Sequence, residues 1–288
     1  MTRPSRRTVL LGCGSTLAAA AGLGLYAWRW EPHWLQFIPH RLSIPGLPAA
    51  LAGKTLMQIS DVHVGRVDDD YVITAFKRAA ALAPDIVVFT GDFITYHPGV
   101  FEQAGGVYRH FPRGRLATIG ILGNHDYGPR WSHPEIAEQV VQTVSPFGIT
   151  MLRNQSVMVE GLQVVGLDDW WAQRFDAPAA LATISRAAPA LLLSHNPDTV
   201  DLPVWGGFDG WVLAGHTHGG QCKPPFLPPP VLPVRNKRYT AGEFGLSGGR
   251  RLYINRGVGH LWRVRFNVRP EITLHELQPA APSSRMEE

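Results

Sequence analysis

Val212-Leu213-Ala214-Gly215-His216-Thr217-His218-Gly219-Gly220 is an apolar run that stops abruptly at two histidines set among glycines. It reads as a buried strand delivering imidazoles onto a loop, because glycine lets the backbone turn and both rings can then point at one spot. Neutral imidazole is a common ligand of divalent transition metals. A metal needs several donors, so partners are expected elsewhere in the chain.

Four further apolar runs end in the same way. Leu56 to Ser60 leads into Asp61-Val62-His63, and Ile86 to Thr90 leads into Gly91-Asp92. Leu116 to Leu122 ends in Gly123-Asn124-His125-Asp126, and Leu191 to Ser194 ends in His195-Asn196. One Asp or His after a strand is ordinarily a turn residue or a helix N-cap. Five coincidences of the same kind point instead to buried strands with chemistry at their carboxyl ends, where open α/β sheets commonly bind ligands.

Asp61-x-His63, Gly91-Asp92, Gly123-Asn124-His125-Asp126, His195 and Gly215-His216-Thr217-His218 resemble, in order and spacing, the five blocks of the calcineurin-like metallophosphoesterases. Gly219-Gly220-Gln221, Lys237-Arg238-Tyr239 and Arg256-Gly257-Val258-Gly259 look like the twin-arginine-exported, YaeI-type phosphodiesterase branch of that family. The resemblance implies an α/β fold, a mixed two-sheet sandwich flanked by helices (αββα), with a dinuclear metal site at the strand carboxyl ends. It makes Asp92 the bridge between two divalent ions. The first ion would take Asp61, His63 and His218, and the second Asn124, His195 and His216. Mixed oxygen and nitrogen ligation suits Mn, Fe, Co or Zn better than Ca or Mg. Two ions held close together stabilise the attacking and leaving oxygens of an in-line displacement, and a hydroxide bridging them would be the nucleophile. His125 would be free to bind a phosphoryl oxygen or protonate the leaving group, with Asp126 orienting its ring. The other reading of His125 is a further metal ligand.

A chain of 288 residues with 45% hydrophobic content is long enough for one large domain. Its formal charge of +4 includes Arg3, Arg6 and Arg7 in a leader without acids, and subtracting these three leaves +1. No nucleic-acid partner is expected. Cys13 lies in the leader and Cys222 is alone in the body, so an oxidising compartment is permitted but not indicated. Cys222 follows the histidine pair by four residues, but the oxygen and nitrogen donors already suffice for the metals.

Residues 1–27 read as a twin-arginine-type signal or N-terminal anchor: Ser5-Arg6-Arg7-Thr8-Val9-Leu10-Leu11 resembles a twin-arginine signal, and Thr8 to Ala27 is uncharged. Export by that machinery would place the protein in the periplasm or on the outward face of the cytoplasmic membrane. Residues 28–53 form an aromatic, proline-broken lead-in whose tryptophans suit either a membrane interface or domain packing. The metallophosphoesterase domain spans 54–278, and 279–288 reads as a disordered tail. Within the domain, helices are expected over 68–82, 101–111, 134–144 and 177–188, the third opened by a Ser132-x-x-Glu135 capping box. A small β-meander is expected over 150–166, and closing strands at 251–255, 263–268 and 271–277 in a second sheet. Asp168-Asp169-Trp170-Trp171 is either a solvated turn with its tryptophans folded back on the core or a substrate-facing lid. Six prolines between Lys223 and Pro233 make a rigid extended arm, and Arg235, Lys237 and Arg238 after it could meet a phosphate or an anionic head group.

The expected activity is hydrolysis of phosphodiesters on a small or lipid-linked substrate. Alternatives are a pyrophosphatase acting on a UDP-linked diacyl sugar, a phosphomonoesterase, or a non-catalytic metal-stabilised binding module. The last has no need of His125.

Overall fold

Strand-length apolar runs alternate with amphipathic segments, and the computed structural model, which describes residues 6–185 and 187–280, shows how they layer. In chain order the elements are α1 (Arg6–Leu25), β1 (Gln36–Ile44), β2 (Thr55–Ile59), α2 (Asp69–Ala80), β3 (Ile86–Thr90), α3 (Val100–Tyr108), β4 (Ala117–Ile121), α4 (Pro134–Val144), β5 (Thr150–Met151), β6 (Gln155–Val159), β7 (Leu162–Gly166), α5 (Ala177–Ala182), β8 (Ala190–Leu193), β9 (Trp211–Ala214), β10 (Gly242–Gly245), β11 (Arg251–Ile254) and β12 (Glu271–Pro279). Among the described residues they make two six-stranded sheets, ordered β1-β12-β2-β3-β4-β5 and β10-β11-β9-β8-β7-β6.

Strands β2 to β5 run parallel in the first sheet, and β7, β8, β9 and β11 in the second. Leu56, Val88 and Ile121 from one sheet pack against Val164, Leu191 and Leu213 from the other, which makes the middle of the sandwich. The outer face of the first sheet is covered by Phe76, Val107 and Val140 of α2, α3 and α4, and that of the second by Ala177 and Ala180 of α5. Strands covered on both faces are apolar along their whole length. Every residue of β3 and β9 is buried, which is why these runs stood out in the sequence. The sandwich is the expected α/β, two-sheet fold.

Several local expectations are corrected. The lead-in contains a nine-residue strand, β1, which pairs in parallel with β12. It is an edge strand with Pro39 inside it, so it lacks the continuous apolar pattern that marks a central strand. The meander over 150–166 is divided: β5 pairs with β4 in the first sheet, while β6 and β7 form a hairpin in the second. Residues 263–268 form no strand, only an isolated bridge from Cys222 to Phe266, and β12 returns to the first sheet beside β2. Helix α4 opens at Pro134 with no side-chain cap, because Ser132 Oγ donates to Pro129 O instead (3.3 Å). The helix expected to Ala188 stops at Ala182.

Helix α1 covers the apolar leader, yet no described helix is long and apolar enough to cross a membrane. Gly12, Gly14, Ser15, Thr16, Gly22 and Gly24 dilute its hydropathy. Residues 1–5, which include Ser5 of the arginine motif, and most of the tail, 281–288, lie outside the described residues.

Candidate metal centre

Strands β2, β3, β4, β8 and β9 each end where a candidate donor block begins, and the backbone there is unusual. Asp61, His63, Asp92, His216 and His218 all have positive φ, between 49° and 71°. Non-glycine residues rarely adopt this left-handed conformation, and when they do the cost is accepted at functional sites. Gly215 is required for a different reason: a β-carbon there would run into Ser60 Oγ and Asp61 Oδ2. The His216 N–H then donates to both Asp61 oxygens, at 3.0 and 3.1 Å, which ties the β9 loop to the β2 loop.

The side chains gather into two buried groups. Asp61, His63 and His218 each place one donor atom within 4.8 Å of the others, and Asp92, His195 and His216 do the same. In the first group His63 Nε2 is 3.0 Å from His218 Nε2, and His218 Nε2 is 3.4 Å from Asp61 Oδ1. In the second, His216 Nδ1 is 3.2 Å from His195 Nε2. Asp92 Oδ2 joins them, 3.5 Å from His63 Nε2 and 3.2 Å from His195 Nε2. One carboxylate oxygen therefore faces donors of both groups.

Asn124 gives an independent test of whether cations fit. Both its side-chain amide atoms are buried without a hydrogen-bond partner in the protein. Buried polar atoms are nearly always paired, and an orphaned amide oxygen among histidines and carboxylates is what a metal ligand looks like without its metal. The residues present thus fit two divalent ions of the mixed oxygen and nitrogen class.

Protonation agrees. Burial and neighbouring histidines push His63, His216 and His218 below their ordinary range, His216 to about 3, so they are neutral, the form that ligates. Asp61 is raised to about 7, chiefly by burial. Burial opposes the charge of Asp92 too, but His195 and His125 outweigh it and hold that carboxyl well below its usual value. His195 is raised to about 10, because the Asp92 charge overcomes the effect of burial. A cation in this pocket would take over the compensating role of that proton.

Three of the four histidines have their remote nitrogen tied, the arrangement that fixes tautomer and ring orientation in metal sites. His63 Nδ1 meets Thr95 Oγ1 (3.1 Å), His195 Nδ1 meets Thr90 O (2.7 Å) and His216 Nε2 meets Pro233 O (2.8 Å). The fourth differs: His218 Nδ1 lies 3.4 Å from a guanidinium nitrogen of Arg265, a fully buried residue that also donates to the carbonyls of Arg256, Gly257, Gly259 and Val268. No sequence signal marked Thr95 or Arg265.

His125 lies beside the groups, its ring edge-on to His63 at 5.0 Å and its main-chain N–H donating to Asp92 Oδ1 (2.8 Å). Asp126 does not orient that ring, contrary to expectation. Its carboxylate accepts from the main-chain N–H groups of Asp92, Gly123 and Ile94, at 3.0, 2.8 and 3.1 Å, and so shapes the loops that carry Asp92 and Asn124. In the Asp168 to Trp171 turn the two aspartates are buried rather than solvated, while Trp171 does fold back onto the protein, against Trp131 at 4.5 Å. Asp168 accepts from Tyr127 Oη (2.5 Å) and Arg153 Nε (2.9 Å), and Trp171 sits edge-on to His216 at 4.4 Å. The basic group after the proline arm is largely engaged: Lys237 Nζ donates to Leu232 O and Val234 O, and Arg235 lies over Trp170 (4.9 Å). The Cys222 thiol is in neither donor group.

The sequence profile of the calcineurin-like phosphoesterases matches residues 54–220. The chain is 34% identical over 281 residues to the phosphodiesterase YaeI of Escherichia coli (strain K12), covering 95% of this chain and 99% of that protein. It is 32% identical over 303 residues to the metallophosphoesterase YkuE of Bacillus subtilis (strain 168), covering 96% and 99%. It is 28% identical over 328 residues to the UDP-2,3-diacylglucosamine pyrophosphatase LpxG of Chlamydia muridarum, covering 92% and 97%.

Proposed function

Because the chain belongs to the calcineurin-like phosphoesterase family, a family of metal-dependent phosphoester hydrolases, we propose that it cleaves phosphodiesters at the two donor groups around Asp92. The observation that carries this reading is the single Asp92 oxygen lying 3.5 and 3.2 Å from donors of both groups. Asp61, His63 and His218 would hold one ion, and Asn124, His195 and His216 the other. When bound, two divalent transition-metal ions supply Lewis-acid charge and lower the pKa of a water. The residues do the rest. Asp92, fixed by the His125 main-chain N–H, sets the spacing of the groups. His125 stands at the rim as the group that binds a phosphoryl oxygen or delivers a proton to the leaving oxygen. Trp171 and the proline arm restrict the water around His216.

The test is metal analysis with turnover. Purified protein loaded with Mn, Fe, Co or Zn should contain two ions per chain and hydrolyse bis(p-nitrophenyl) phosphate faster than p-nitrophenyl phosphate. Two bound ions without hydrolysis would leave a binding module.

A second reading is favoured by one surface. Trp28, Trp30, Trp34 and Trp262 are each half exposed or more, and Arg263 and Arg269 lie over two of them, at 5.2 and 3.6 Å. Aromatic rings with basic partners suit a membrane interface, as cleavage of a UDP-linked diacyl sugar would require. Turnover of that substrate against the chromogenic diester separates the two. The Arg6-Arg7 pair at the head of α1 supports export by the twin-arginine machinery to the outward face of the membrane. Replacing both arginines with lysine should leave the protein in the cytoplasm, as cell fractionation would show.

A further inference from the structure

Two loops leave the first donor group and meet again beside it. One runs on from His63 to Asp68, the other from Gly257 to Arg263. They are pinned together: Val258 N–H donates to Ser60 O (3.0 Å), Gly259 N–H donates to Asp61 O (2.8 Å), and a β-carbon at Gly259 would run into Val62 O. Between them lies a cavity of about 270 Å³ whose wall includes His33, Arg66, Asp68, Gln103, His260 and Arg263. That is slightly smaller than the roughly 300–1,000 Å³ of pockets for whole small molecules, so it suits one chemical group.

His260 marks the cavity as more than a surface dent. The residue is only 1% exposed, yet neither ring nitrogen has a hydrogen-bond partner in the protein. A buried polar side chain without partners calls for an explanation, and here it borders a space that a ligand can fill. Burial, with the charges of Arg265, His33 and Arg263, holds the ring down to about 3, so it is neutral and offers one donor and one acceptor. Arg66 and Arg263 are exposed at the mouth, and neither side chain makes a hydrogen bond or ion pair among the described residues, though Arg263 lies over the Trp28 ring (5.2 Å). Asp68 and Gln103 on the wall are engaged, and His33 Nδ1 meets Arg29 O (3.1 Å). Asp68, the wall's single carboxylate, accepts from Tyr71 N–H at the start of α2 (2.9 Å), and Gln103 bridges Asp69 and His97. What remains available is two guanidinium forks and a neutral imidazole, a set matched to the oxygens of a phosphoryl group.

We propose that this cavity, adjoining the centre assigned above to phosphoester hydrolysis, is a second anion site that holds a phosphoryl group other than the one being cleaved. Arg66 and Arg263 grip it from the rim and His260 donates from the buried wall. A substrate with a second phosphate on one arm would be anchored there while its diester lies at the donor groups. Free inorganic phosphate offers the same chemistry, and the experiment separates the two sources.

The test uses the full chain and the Arg66→Ala/Arg263→Ala double variant, whose altered side chains are exposed and whose folding is checked by thermal unfolding. In the first arm, inorganic phosphate is titrated calorimetrically into metal-stripped protein. Wild type is expected to bind one phosphate and the double variant to bind at least tenfold more weakly, the scale of a lost charge-assisted contact. In the second arm, metal-loaded protein is given thymidine 5′-(p-nitrophenyl phosphate) with and without a 3′-phosphate. The expected result is a kcat/KM preference for the phosphorylated form that falls tenfold or more in the variant, which assigns the site to the substrate. Phosphate binding lost in the variant with no such preference assigns it to free phosphate. Equal binding by both proteins together with an unchanged preference overturns the proposal. If wild type hydrolyses neither ester but binds phosphate through the arginines, the hydrolase reading fails and the anion site stands.

Discussion

The two donor groups differ in what holds them from behind. His63 and His218 of the first group lean on side chains, the Thr95 hydroxyl and the Arg265 guanidinium. His195 and His216 of the second lean on main-chain carbonyls, those of Thr90 and Pro233. A carbonyl accepts from imidazole N–H whatever side chain its residue carries, so the second group is oriented by the path of the backbone. The first is oriented by residue choice, and one of its supports is a cation that can only donate. Hydrolases built this way should have one site set by the fold and another that single substitutions can tune.

The largest expected effect comes from removing what the groups share. Asp92→Asn should abolish measurable hydrolysis of bis(p-nitrophenyl) phosphate and bring metal content below two ions per chain; a variant with two ions and near-wild-type turnover would break the comparison at its root. Next is His125→Ala, which keeps all seven donors and the main-chain N–H that holds Asp92. It should keep both ions and lose about 10²–10⁴ in kcat, the usual scale for acid catalysis. Full metal content with unchanged kcat would remove His125 from the chemistry.

Thr95→Val sharpens the contrast itself. It deletes the acceptor for His63 Nδ1 and should weaken one metal site about 10- to 100-fold while the other is unchanged. Chelator titration followed by metal analysis would show one ion leaving early, and equal weakening of both would mean the groups are not separately supported.

The smallest effect is a control remote from both groups. Burial would raise the Asp85 carboxyl, but the Thr55 N–H, Arg115 and Lys54 outweigh it and hold it below its ordinary value. Its folded pKa is thus depressed, so its contribution is present above the unfolded value, near 4, and is lost as pH falls through the lower folded value. Asp85→Ala should cost about 1–2 kcal/mol in urea unfolding at pH 7. That cost should shrink below about pH 4, and metal content should not change.

How much could be read beforehand depended on how local the signal was. Strands β2, β3, β4, β8 and β9 are covered on both faces and announce themselves as apolar runs, and the polar residue after each was a visible departure. Strand β1 was hidden because an edge strand with a proline has no such pattern. The meander was misassigned because pairing of β5 with β4 rather than β6 is decided by packing between sheets. Asp126 looked like a partner for its neighbour His125, whereas its oxygens are taken by the main-chain N–H groups of Gly123 and, 34 and 32 residues earlier, of Asp92 and Ile94.

From the sequence alone came the parallel core strands and the polar blocks at their ends, since side-chain chemistry and hydrophobic period are properties of short segments; the choice of seven donors, with His125 beside them, was what the family resemblance implied. Only the tertiary structure decided that His63 meets His218 across 155 residues, that Asp92 faces both groups, and that five of the candidate donors take left-handed backbone. It alone brought Thr95, Arg265 and the Pro233 carbonyl behind the rings. Those contacts join residues distant in the chain and exist only because two sheets pack with their carboxyl ends together.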